Sequence, residues 1–160
     1  MIMRVRRQVM ADRLPALPAA PGAYVLVLSL VSPRRLAAGA LGTFDFPPGA
    51  YVYCGSALGP GGIRARAGRH LERRGPAHWH IDYLLRRARV CEIRVREEPR
   101  RLECLWAAAL AASDLCERPV PRFGASDCRC PAHLWRVKRS LEDLEAVLLS
   151  LPAPPLPVWP

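Results

Sequence analysis

The segment Tyr51–His70, YVYCGSALGPGGIRARAGRH, leaves few choices for how the chain folds around it. Its aromatic and β-branched start, Tyr51-Val52-Tyr53, favours a strand. Gly55 to Gly62 then holds four glycines and one proline, a loop able to bring backbone amides near a ligand. From Ile63 to about Arg73 the chain is predicted helical, with Arg66, Arg69 and Arg73 at helical spacing. Arg66 and His70, four residues apart, share one helix face. Phenols, backbone amides, guanidinium groups and an imidazole are thereby gathered together. That set suits holding and attacking a phosphate ester.

The remaining elements follow from proline punctuation and hydrophobic period. Gly22–Leu30, flanked by Pro21 and Pro33, reads as a buried strand. Between Pro33 and Gly49 lie polar and small residues, with a short extra strand at Gly42–Phe46. A helix is predicted over Trp79–Arg87. In Val90–Val95, Val90, Glu92 and Arg94 alternate with Cys91, Ile93 and Val95, which predicts a strand. A strong helix follows over Arg100–Ala112, and the chain turns irregular after Asp114. Ser140–Leu149 is amphipathic, with Ser140 as N-cap and Asp143 in the first turn. These elements predict an α/β (α+β) fold: a small, mainly antiparallel three-stranded sheet flanked by helices. Residues 1–20 form a basic, proline-containing lead-in, 21–150 a single domain, and 151–160 an extended proline-rich tail.

The formal net charge is +10 and rests on arginine, because Lys138 is the only lysine. Arginine favours bidentate phosphate contacts, and a basic surface draws polyanions by counterion release. The abundance of Ala, Pro and Gly beside it is equally what a GC-rich coding sequence produces. The apolar run at Ala23–Leu30 is too short to span a bilayer, and Met1–Asp12 lacks the apolar stretch of a signal peptide. The expectation is a cytoplasmic protein without membrane association, whose six cysteines are thiols or metal ligands and not disulfides.

Two strands bearing tyrosine, a glycine loop and a helix of form R-x-x-x-H resemble the GIY-YIG nuclease superfamily. Gly22-Ala23-Tyr24 stands for the first signature and Tyr53-Cys54-Gly55 for the second, with Arg66 and His70 on the helix. The chain is similar above all to the branch called domain of unknown function 123. That resemblance rests on PGAYVLVL, YVYCGSALGPGGIRARAGRHL, PAHWHIDYL and FGASDCRCPAHL in order, across roughly Pro21–Val137. Two departures stand out: Ala23 and Cys54 replace the usual middle residues, and the gap between signatures is longer, implying an inserted loop or hairpin over Pro33–Pro48.

The resemblance implies metal-dependent hydrolysis of phosphodiester bonds in nucleic acid, DNA first, with Mg²⁺ or Mn²⁺ on a single glutamate. Glu103 falls about where that acid belongs, with Glu72, Glu97 and Glu98 nearby as rivals. Tyr24 and Tyr53 would help activate water, Arg66 would stabilise phosphoryl charge, and His70 would assist, being intrinsically the better base. A free phenol, with pKa ~10, is a weak base at neutral pH unless a cation lowers it. Arg64, Arg69, Arg73, His78 and His80 would add nucleic-acid contacts. His78, His80 and Asp82 would share a face on a strand but not on a helix.

Cys128, Cys130 and His133 approach zinc-ligand spacing, with Cys116 as a candidate fourth ligand, although C-x-C is tighter than the usual knuckle. Two other functions fit the same residues. One is a non-catalytic basic nucleic-acid-binding module; the other is a zinc-stabilised adaptor using the proline-rich tail. In either case a protein partner would supply specificity.

Overall fold

The computed structural model describes residues 17–73, 75–139 and 141–159. Six strands form one antiparallel sheet, in the order β6-β7-β4-β1-β5-β8. At its centre β1 (Gly22–Leu30) lies between β4 (Gly49–Ala57) and β5 (Arg89–Glu97). On one side β7 (Leu134–Val137) and β6 (Cys116–Glu117) extend it; on the other, β8 (Leu156–Trp159) pairs with β5. A separate hairpin of β2 (Arg34–Ala37) and β3 (Thr43–Phe46) fills the long gap between the signatures. Four helices complete the described fold: α1 (Gly62–Glu72), α2 (His80–Leu85), α3 (Leu102–Ala112) and α4 (Leu141–Leu149).

The three-stranded sheet expected from the sequence is therefore too small. Its three strands are the centre of the sheet, and the missing members are short. A strand of two to four residues carries almost no period of its own, and long-range pairing makes it. The proline-rich tail contributes one of these edges as β8. The lead-in is also partly built into the fold, since Leu17 is buried in the core. Residues 1–16 and the Ser140 cap lie outside the described residues.

Alternation along β1 and β4 gives the sheet two buried faces. Tyr24, Leu26 and Leu28 of β1 join Tyr51 and Tyr53 of β4 in a core that includes Ile63 and Ala67 of α1. Ala23, Val25, Val27, Val52 and Cys54 point the other way, into a core with Leu102, Trp106 and Leu110 of α3 and Leu144, Val147 and Leu148 of α4. The alternation read over Val90–Val95 is broken by a register shift between Val27 and Leu28, so Leu28 meets Val90 and Val27 meets Glu92. Val90 thereby joins Ile93 and Val95 in the tyrosine-bearing core. An irregularity of this kind changes side-chain facing partway along a strand, which period counting cannot anticipate.

Candidate functional site

Tyr24 and Gly55 are directly opposed partners in the β1–β4 ladder. A Cβ on Gly55 would lie 2.3 Å from Tyr24 Cζ, so the glycine is the space that the phenol ring occupies. Tyr53, two residues earlier on β4, projects to the same face. The glycine loop then turns the chain into α1. Gly62 adopts φ +56°, and a Cβ there would meet Ala20 O at 2.1 Å. This close approach lets the segment 17–21 cap α1. Ile63 N donates to Ala20 O (3.0 Å), Arg64 N to Pro18 O (2.8 Å) and Arg64 Nε to Leu17 O (2.7 Å). The helix amides that a glycine loop is expected to offer a ligand are consumed by the chain itself.

A cavity of about 360 Å³ opens where β1, β4, α1, α3 and the β6–β7 loop meet. Tyr24, Tyr53, Arg66 and Glu103 all line it, as do His78, Trp79 and His80 ahead of and within α2. Ser56, Gly124, Ser126, Asp127 and His133 complete the wall. The Arg66 guanidinium sits 4.2 Å from the centre of the Trp79 ring, and Arg69 lies 4.5 Å from the same ring. A guanidinium held by its face keeps its in-plane N–H donors for other partners. Among the described residues no carboxylate pairs with Arg66.

Glu103 lines the cavity from the first turn of α3 and is 1% exposed. Its Oε1 accepts from Arg101 Nε at 3.1 Å, while Oε2 is buried with no partner. An orphaned carboxylate oxygen in such a place is costly unless something meets it. Arg101 also reaches Asp127 at 2.6 Å; hydrogen bonds to Glu103 and then Asp127 raise its pKa. Burial pushes the Tyr24 phenol well above its ordinary range, and the nearby Tyr53 adds to this, whereas Arg66 pulls the other way. Tyr53 is raised as well, by burial first, again against Arg66. Neither phenol ionises near neutral pH in this setting.

His70 lies behind the cavity wall and not in it. It is 1% exposed, its ring centre 6.0 Å from that of Tyr24 and 5.3 Å from that of Trp79. Its Nδ1 is 2.8 Å from Asp82 Oδ1, and its Nε2 is buried without a partner. The other oxygen of Asp82 accepts from the backbone N–H of His78 (2.9 Å) and Trp79 (3.0 Å), capping α2. Burial alone would raise the Asp82 carboxyl, but these hydrogen bonds, from His70 first, hold it well below the usual carboxylate range. His80 opens α2 and accepts from Gly124 N–H at 2.8 Å through Nδ1; burial lowers its pKa. His78, His80 and Asp82 thus do not form a shared strand face.

The other basic residues take structural places. Arg64 is spent on Leu17 O, Arg69 donates to Pro76 O (2.9 Å), and Arg73 donates to Ala88 O (3.1 Å) from the helix end. Tyr51 turns its hydroxyl to Pro47 O, away from the cavity, and its pKa is raised by burial to about 12. Cys128, Cys130 and His133 come together, and the ligand atom that joins them belongs to Cys104. Cys116 instead sits buried in β6. Sequence reasoning missed Cys104 as a ligand candidate, the pairing of Asp82 with His70, the bond of Arg101 to Asp127 and the platform role of Trp79. The advance signal was their place in HWHIDY, ECLW and FGASDC.

No helix of the described residues is long and apolar enough to cross a membrane. No curated protein and no solved structure matches the chain. The sequence model of the family described as Domain of unknown function DUF123 matches residues 23–152, and the chain belongs to that family.

Proposed function

We propose that this DUF123 protein is a GIY-YIG-type endonuclease that hydrolyses phosphodiester bonds in nucleic acid, DNA first. The observation that carries the reading is convergence. Tyr24, Tyr53, Arg66 and Glu103, from four separate elements, line one cavity, which joins an unpaired guanidinium to a carboxylate whose buried Oε2 has no partner. The order of the two tyrosine signatures, the arginine helix and the acidic helix supports the superfamily assignment, and the net charge of +10 favours a polyanionic substrate.

Arg66 donates to the phosphoryl oxygens and is held for that by Trp79. The donor set fits a divalent cation such as Mg²⁺ or Mn²⁺: Glu103 Oε2 is the atom that would hold it, and water would fill the other positions. Such a cation supplies charge neutralisation on the phosphate and lowers the pKa of groups around it. Tyr24 and Tyr53, protonated at rest, orient the phosphate and the attacking water as hydrogen-bond donors. The Asp82 carboxylate, 2.8 Å from His70 Nδ1, holds in place an imidazole whose ring centre lies 6.0 Å from that of Tyr24.

The test is cleavage of labelled linear, branched and damaged DNA, and of RNA, with Mg²⁺ or Mn²⁺. Arg66→Ala and Glu103→Gln each lower the rate at least ~10²-fold. If wild type and both variants are equally inactive on every substrate, yet wild type binds DNA with steep salt dependence, the protein is a binding module and not a nuclease.

A further inference from the structure

Beside the cavity, four side chains converge that the proposed reaction does not use. Cys104 stands in the first turn of α3, next to Glu103, while Cys128, Cys130 and His133 belong to the loop between β6 and β7. One ligand atom from each lies within 4.8 Å of the others. His133 Nε2 is 3.5 Å from Cys128 Sγ and 3.9 Å from Cys104 Sγ. A tetrahedral ion with bonds of roughly 2.0–2.3 Å sets its sulfur and nitrogen ligands roughly 3.5 Å apart and its sulfurs roughly 3.8 Å apart. The cluster has the dimensions of a shell around one ion. All the cysteines in it are free thiols.

The loop that presents three of these ligands is held by hydrogen bonds of its own. Arg122 donates from Nη1 to Cys130 O (2.7 Å) and from Nη2 to Cys128 O (2.6 Å), fixing the backbone at both cysteines. His133 N donates to Phe123 O (2.7 Å), and His133 O accepts from Cys54 N (3.0 Å), tying the third ligand to β4. The fourth comes from a helix on the other side of the cluster. An ion there would join two parts of the fold that are otherwise bridged at this point by the exposed Arg101–Asp127 pair.

We infer that Cys104, Cys128, Cys130 and His133 form a closed zinc site that locks the cavity-lining loop to the helix carrying Glu103. Three soft sulfur ligands and one imidazole select zinc over Mg²⁺ or Mn²⁺, which prefer oxygen. Binding releases the three thiol protons to solvent and leaves a unit of net charge −1, with Arg101 and Arg122 beside it. With all positions filled by protein, the ion is structural. Its consequence is positional: Gly124, Ser126, Asp127 and His133 are cavity wall, and Cys104 adjoins the acid.

The zinc site does not depend on the nuclease reading, and its readouts do not require activity. Elemental analysis of the full chain gives about one zinc per chain. Cobalt substitution gives thiolate-to-metal charge-transfer absorption with tetrahedral ligand-field bands. Cys104→Ser and Cys128→Ser lose most of the bound metal, whereas Cys91→Ser on β5 keeps it. Chelation opens the 118–133 loop to limited proteolysis, and zinc restores protection. Wild-type protein that holds no zinc after refolding in excess zinc, or a disulfide within the cluster by mass spectrometry, overturns the inference even if every variant fails to fold. Full zinc occupancy without cleavage leaves this site standing and removes the nuclease; cleavage by protein that holds no zinc even after refolding in excess zinc does the reverse.

Discussion

The two faces of the β1–β4 pair are made by alternate residues of the same strands, yet they differ in kind. One carries Ala23, Val25, Val27, Val52 and Cys54 against Trp106 and the aliphatic stripes of α3 and α4. The other carries Tyr24, Tyr51 and Tyr53, with His70 buried beside them and Arg66 above. The first face gains mainly from apolar area, although the buried Trp135 Nε1 there has no partner. The second buries phenols and the His70 imidazole, whose Nε2 has no partner, and such an unpaired group lowers stability. A protein holds such groups only where surrounding structure compels it. The contrast separates the more apolar face of the sheet from the face that lines the cavity.

Substitutions on the two faces test that separation. Trp106→Ala, at the centre of the apolar face, lowers unfolding free energy by about 3–5 kcal/mol in urea titration. A loss below about 1 kcal/mol would mean that this core is not the stabilising one. On the tyrosine face Gly55→Ala costs about 1–3 kcal/mol, because its Cβ displaces the Tyr24 ring, and it takes cleavage down with it. Cys54→Ala, one residue away on the opposite face, costs about 1 kcal/mol and leaves the cavity intact. Equal effects on cleavage from the two neighbours would break the comparison.

Asp82→Asn lowers stability by about 1.5–3 kcal/mol at neutral pH, since it weakens the bond to His70 and the cap of α2. The folded-state carboxyl lies below its unfolded value. Its contribution is therefore complete above the ordinary carboxylate range and is lost as pH falls through that range toward the folded value. Thermal melts of wild type decline with acid there, and those of Asp82→Asn decline less. Tyr53→Phe has the smallest effect on folding, within about 0.5 kcal/mol, while cleavage falls if the hydroxyl orients the phosphate. A phenylalanine variant with unchanged cleavage would assign Tyr53 to the core alone.

Much of the site was readable in one dimension because it is carried by local rules. Tyr24 follows from the strand pattern of Gly22–Leu30 and Arg66 from a helix that starts after a glycine turn, whereas Gly55, read as loop, lies in β4 opposite Tyr24 through pairing alone. What could not be read was whatever depends on a second element arriving. Cys104 is an unremarkable helix residue until the β6–β7 loop brings Cys128, Cys130 and His133 to it. The helix bearing Asp82 was legible, but only tertiary contact brings its carboxylate to His70 on α1. The glycine loop was read as an amide cradle, and only packing shows residues 17–21 filling it.

The chain's linear pattern by itself determined the three central strands, the helices that follow them, and which residues supply phenol, guanidinium and carboxylate groups to the elements around the cavity. Periodicity and turn chemistry act over a few residues, so they are written locally. Tertiary structure alone decided the six-stranded extent of the sheet, the facing of β5 after its irregularity, the burial that raises both phenols, and the identity of the fourth cysteine. Edge pairing, desolvation and ligand convergence are each set by groups distant in sequence, and they exist only once the chain has closed on itself.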